Sequence, residues 1–172
     1  NNATTPPTPA VIEAVTGALR EHWANPSSVH RQGQAARAQV ELARAALAEL
    51  IGASPRDCTL TSGATEALDL AVRGLVGSGS AARLVTTGAE HAALRDLGEA
   101  LPAEGVETVV APVGRSGLID TEWLATNLKS RDLLATHWAN NETGVVQPVE
   151  MLAALAKERG ALFLIDATQW VG

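Results

Sequence analysis

The chain has 172 residues and a mass of 17.8 kDa, with 13 Lys+Arg against 19 Asp+Glu and a formal net charge of -6. A composition 46% hydrophobic and 19% charged is that of a globular chain, which excludes wholesale disorder, and the length allows one full core or a piece of a larger one. The acidic balance argues against direct nucleic-acid binding or an anionic membrane surface, and the single cysteine, Cys58, excludes an intrachain disulfide framework and any multi-cysteine metal site; no metal is expected.

The chain opens on Asn1-Asn2-Ala3-Thr4-Thr5-Pro6-Pro7, with neither the basic nor the apolar region of a signal peptide. No later stretch approaches the ~18 apolar residues of a membrane span, so a cytoplasmic protein is expected. Thr8-Pro9 then reads as a cap with proline in the first helical turn, and Val11, Ile12, Val15 and Leu19 recur at helical spacing. This helix should fade before Asn25-Pro26. A second helix is predicted over 31–51, with Val40, Ala43, Leu47 and Leu50 on one face and Gly52 as its stop.

From there the pattern alternates. Strands are predicted at 58–61, 83–86, 106–113, 133–138 and 161–165, and helices at 65–76, 92–101, 120–128 and 148–159. Strands separated by crossover helices give a mainly parallel sheet with helices on both faces, a three-layer α-β-α sandwich of the α/β class. The strands are short apolar runs rather than alternations, as expected when both faces are covered. At the end, Asp166-Ala167-Thr168-Gln169-Trp170-Val171-Gly172 follows directly on an apolar run; both ends of the chain read as cut.

Ligands of an open parallel sheet bind beyond the carboxyl ends of its strands, so the residues after each strand are the candidates. Ser62-Gly63-Ala64-Thr65-Glu66 is a small-residue turn opening a helix: an ordinary cap, or a phosphate site made of backbone N–H groups, the helix dipole and hydroxyls. His91 stands at a helix start, either as a surface residue or as a ring that stacks on a flat cofactor and exchanges protons. Asn140-Asn141 is a turn or a source of an amide for a ligand. Asp166 directly behind a buried strand needs a partner: a turn to cap, an arginine, or a protonated pyridine nitrogen.

Several strings occur together in order. Asn1-Asn2-Ala3-Thr4-Thr5-Pro6, Asn25-Pro26-Ser27-Ser28-Val29-His30, Thr61-Ser62-Gly63-Ala64-Thr65-Glu66, Glu90-His91, Ala139-Asn140-Asn141-Glu142-Thr143-Gly144 and Asp166-Ala167-Thr168-Gln169 span essentially the whole chain. In them the sequence resembles the pyridoxal-phosphate-dependent cysteine desulfurases of the class V aminotransferase family, in the branch serving nitrogen fixation and iron–sulfur cluster assembly. The resemblance implies part of the large domain of an aspartate-aminotransferase-like transferase. It places an N-terminal segment and helix at 1–30 and a partial cofactor-binding domain at 31–172. It implies pyridoxal 5'-phosphate as cofactor, with Ala64 and Thr65 on the phosphate, His91 stacked on the ring and moving protons, Asn141 and Gln169 on the phenolic oxygen, and Asp166 on the ring nitrogen. Asn2 and His30 fall in strings near the family's active site, without a defined role.

The same resemblance implies conversion of L-cysteine to L-alanine and an enzyme-bound persulfide, handed to a sulfur-acceptor protein of the scaffold or tRNA-thiolation type by a homodimer. The family's cofactor-binding lysine and sulfur-carrying cysteine match nothing here: Lys129 and Lys157 lie in the wrong segments, and Cys58 is expected to be a buried structural thiol. The 172 residues alone are therefore expected to be inactive. Other readings of the sequence are another lyase of the same class, such as a selenocysteine lyase or a desulfurase for DNA or tRNA modification, and a split or degenerate homologue acting as a binding scaffold. Trp138 and Trp170 near the presumed site are expected to be core packing.

Overall fold

The computed structural model describes residues 5–171; Asn1 to Thr4 of the first string, Asn2 included, and Gly172 lie outside the described residues. The chain forms two compact units, 5–61 and one built on 62–172.

In the first unit the helix signals are realised closely. Helix α1 covers Pro9–Glu21; the Thr8 hydroxyl accepts from the Val11 N–H, and Pro9 occupies the first turn, where a missing N–H costs nothing. Helix α2 covers Arg31–Ile51 and stops at Gly52, whose φ of 68° is the left-handed geometry that closes a helix. His30 caps α2: its Nδ1 accepts from the Gly33 N–H at 3.2 Å. A Cβ on Gly33 would lie 2.5 Å from the Ser28 carbonyl oxygen, so the Asn-Pro-Ser-Ser-x-His turn closes only on glycine.

The buried residues of α2 are Gly33, Ala36 and Ala48, while Leu47 and Leu50 are exposed. The predicted strand at 58–61 does not form. A short 3-10 turn at Pro55–Asp57 leads into extended backbone at Cys58, whose carbonyl accepts from the Arg44 guanidinium. Extended chain becomes a strand only when a neighbour completes the ladder, and among the described residues this unit holds no strand. Cys58 is half-buried rather than buried, its Sγ 3.6 Å from the Ser54 carbonyl.

The second unit holds helix α3 (Ala64–Gly77), strand β1 (Arg83–Thr87), α4 (Ala92–Ala100), β2 (Glu107–Ala111), α5 (Thr121–Asn127), β3 (Asp132–His137), α6 (Val149–Arg159) and β4 (Leu162–Asp166). The strands form one parallel sheet in the order β2-β1-β3-β4. Successive side chains point to opposite faces. Leu84, Leu133 and Ala135 pack with Leu68, Val72, Leu94 and Leu97 of α3 and α4. Val85 and Leu134 pack with Leu124, Leu152 and Ala156 of α5 and α6. This is the expected three-layer sandwich. The central strands β1 and β3 are buried throughout, whereas β2 and β4, at the edges, are half-exposed.

The connections decide where a ligand can go. From β1 the chain moves outward to β2 over the α4 face. It then returns across β1 to β3 over the α5 face and continues to β4 over α6. Right-handed crossovers force the helix to the other face when the direction of travel reverses. The loops leaving β1 and β3 therefore diverge, and a crevice opens at their carboxyl ends. At the opposite ends of these strands, Arg83 grips Asp132 through two bonds of 2.7 and 2.9 Å and reaches Glu107, which joins β1, β2 and β3 at their starts.

Candidate functional site

A cavity of about 220 Å³ occupies this crevice, on the α3–α4 side of the sheet. Ala64, Thr65, His91, Asn141, Asp166 and Gln169, the six positions singled out in the sequence, all line it, with Leu68, Ala93, His137, Ala139 and Thr168. They arrive from four separate places: the start of α3 and the segments after β1, β3 and β4.

Helix α3 begins at Ala64 behind Gly63, which offers no side-chain cap to the first turn. Ser62 turns the other way: its hydroxyl and N–H both donate to Glu66 Oε2, at 2.5 and 2.7 Å. These two bonds, the hydroxyl first, hold the Glu66 carboxyl below the usual carboxylate range. The N-terminal end of α3, with its positive dipole and the Thr65 hydroxyl, is thus left facing the cavity.

His91 caps α4. Its Nδ1 accepts from the Ala93 N–H at 3.1 Å, so the neutral ring carries its proton on Nε2. The two asparagines after β3 divide the roles that the sequence left open. Asn140 builds the turn: its Oδ1 accepts from Glu142 and Thr143 N–H groups at 2.9 and 2.8 Å, and its Nδ2 donates to the Ala89 carbonyl at 2.8 Å. Asn141, exposed beside it, turns to the cavity. Asp166 ends β4 and is half-buried. Its Oδ1 accepts from the Thr168 N–H and hydroxyl at 3.0 and 2.5 Å, and these bonds spend Oδ1 alone. Lys129 follows α5 and Lys157 sits in the last turn of α6; neither lines the cavity.

Sequence reasoning assigned no role to Glu90 or His137. The two form a buried pair at the crevice, with His137 Nδ1 2.8 Å from Glu90 Oε2. The signal was present: a histidine closing an apolar strand, and a glutamate three residues past the end of another.

Known proteins share this fold. The family model for aminotransferase class-V matches residues 1–172. A cysteine desulfurase of Cereibacter sphaeroides is 44% identical over 100% of this chain and 46% of its own length. The mitosomal cysteine desulfurase of Encephalitozoon cuniculi is 40% identical over 99% of this chain and 41% of its own. Among solved structures, a NifS-like protein superposes with a TM-score of 0.92 at 31% identity, covering 98% of this chain and 48% of that one. SspA in complex with cysteine gives 0.89 at 30% identity, covering 98% and 50%. The chain spans less than half the length of the curated relatives it matches. Class V aminotransferases and cysteine desulfurases depend on pyridoxal 5'-phosphate. Among the described residues no helix is long and apolar enough to cross a membrane. With a family model matched from end to end and the cavity in the same fold, the chain belongs to the aminotransferase class-V family.

Proposed function

We propose that this chain supplies the cofactor-binding wall of a cysteine desulfurase that uses pyridoxal 5'-phosphate. The observation that carries the reading is the convergence of Thr65, His91, Asn141, Asp166 and Gln169 on one cavity at the point where the strand order reverses. The donor set suits the group. The start of α3 and Thr65 fit a phosphate, Asp166 Oδ2 fits a protonated ring nitrogen, and the Asn141 and Gln169 amides fit a phenolic oxygen.

In this reading the cofactor supplies an electron sink for the Cα of an amino acid. Asp166 would keep the ring nitrogen protonated by a charge-assisted hydrogen bond. His91 would cover the ring face, with its own proton on Nε2 available to move. The Ala64 N–H and the Thr65 hydroxyl would hold the phosphate. The lysine that holds the cofactor and the cysteine that carries sulfur would come from chain other than residues 1–172. The complete enzyme would take L-cysteine to L-alanine and pass sulfur to an acceptor protein in iron–sulfur cluster assembly, as a cytoplasmic homodimer.

The test mixes the purified chain with pyridoxal 5'-phosphate and then with cysteine. Binding without alanine production is expected. Failure to bind refutes the cofactor site, and sustained turnover refutes the need for further residues.

A further inference from the structure

His137 is a titratable group on the cavity wall to which the cofactor reading gives no task. It closes β3, and its side chain is 5% exposed. Glu90 Oε2 accepts the His137 backbone N–H at 2.8 Å and lies 2.8 Å from the ring Nδ1. Glu90 Oε1 accepts the Thr87 and Thr136 hydroxyls at 2.6 and 2.8 Å. A backbone N–H can only donate, and the Thr87 oxygen already accepts from the Ala89 N–H at 3.2 Å. The two hydroxyls and the backbone N–H all donate to the Glu90 carboxyl oxygens.

The other ring nitrogen is constrained from the opposite side. Gln147 Oε1 accepts the Ile119 N–H at 3.1 Å and its Nε2 donates to the Gly117 carbonyl at 2.8 Å, so flipping the amide would lose both bonds. The remaining Gln147 N–H faces His137 Nε2 at 3.4 Å. A proton on that ring nitrogen would meet a second donor.

We propose that Glu90 and Gln147 are positioning residues that fix His137 as an Nδ1–H imidazole, Glu90 by accepting at Nδ1 and Gln147 by donating to Nε2, so that no second cation competes with the ligand for the Asp166 carboxylate. His137 and Asp166 are register partners on β3 and β4 and line the same cavity. Glu90 pairs with the ring, and Asp166 and His91 are the other titratable side chains of the cavity lining. A doubly protonated His137 would set a cation beside the carboxylate assigned to the ring nitrogen. The ligand half of this inference rests on the cofactor reading; the state of the ring rests on geometry alone.

The test uses long-range proton–nitrogen spectra of the imidazoles at about pH 7.5, with His137 assigned by its loss in His137→Asn. The expected signature is a protonated Nδ1 and a bare Nε2. Gln147→Glu places an acceptor at Nε2 and should give a doubly protonated ring. Gln147→Met removes the donor without adding charge and should lose the pure Nδ1–H signature, which keeps the idea testable if the first variant folds poorly. Pyridoxamine 5'-phosphate has no aldehyde to react with lysines, and its binding should weaken roughly tenfold in Gln147→Glu. A wild-type ring protonated on Nε2 overturns the proposal. Unchanged affinity in a Gln147→Glu chain that carries the doubly protonated ring overturns the role toward Asp166 while the cofactor reading stands. A wild-type chain that does not bind the probe overturns the cofactor reading itself, and is told apart because the ring signature needs no ligand.

Discussion

Trp138 and Trp170 stack face to face, their ring centroids 4.9 Å apart and their planes 15° from parallel. Trp138 follows β3 and Trp170 follows β4, and the Trp138 N–H donates to the Asp166 carbonyl at 2.8 Å. The stack therefore ties together the two segments that bring Asn141 and Gln169 to the cavity. It is not core packing as the sequence led one to expect, since Trp170 is 46% exposed.

Trp170→Ala should abolish the exciton couplet of the two indoles in circular dichroism. It should also lower stability by about 0.5–1.5 kcal/mol, the range for an aromatic pair beyond its buried area. An unchanged couplet would show that the rings do not stack in solution.

Asp166→Asn keeps the Oδ1 acceptor used by Thr168 and removes only the charge. Pyridoxamine 5'-phosphate should then bind roughly tenfold to a hundredfold more weakly, about 1.4–2.8 kcal/mol, with the melting temperature of the free chain little changed. Equal affinity in titrations of the two proteins would remove Asp166 from the cofactor site.

Asp132→Ala should be among the most damaging changes in the sheet. The carboxylate is 2% exposed, it holds the buried Arg83 guanidinium above its ordinary value chiefly by hydrogen bonding, and it also accepts the Lys129 N–H at 2.7 Å. Removing one member of such a pair costs about 3–5 kcal/mol, because the other charge stays buried. Glu107 at 3.3 Å remains as a second, exposed partner, which favours the lower end. Urea denaturation of the variant and of Arg83→Leu/Asp132→Leu should show the double change to be the milder; the reverse order would contradict this account.

Glu66→Gln tests the turn before α3 through pH. The Ser62 hydroxyl and N–H lower the Glu66 carboxyl in the folded chain, so folding favours the ionised form. For a group depressed in this way, the contribution is complete above its unfolded value and disappears as pH falls through the folded one. Wild type should thus exceed Glu66→Gln in melting temperature at neutral pH, with the gap closing in the acid range and constant on the alkaline side. A gap of the same size at about pH 3 and about pH 7 would rule out this linkage.

Local signals carried most of the element boundaries. Thr8-Pro9 and Gly52 bound helices where capping chemistry says they should. The apolar runs at β1 and β3 form the buried centre of the sheet. The segment at 58–61 misled because its residues favour extended backbone, while pairing depends on a neighbour that local sequence does not contain. Asn140 and Asn141 were inseparable for a related reason: both suit a turn, and only the path of the chain decides which amide bonds the backbone and which meets the cavity.

The sequence by itself determined the alternation of strands and helices, the parallel sheet they require, and the residue types waiting at each carboxyl end, because these follow from spacing and short-range chemistry. Only the tertiary structure decided that the strands take the order β2-β1-β3-β4, that two tryptophans meet, and that Glu90, His137 and Gln147 form one buried chain of hydrogen bonds. Those contacts join residues up to 47 positions apart, and their partners are chosen by the order of strands in the sheet, which no local pattern encodes.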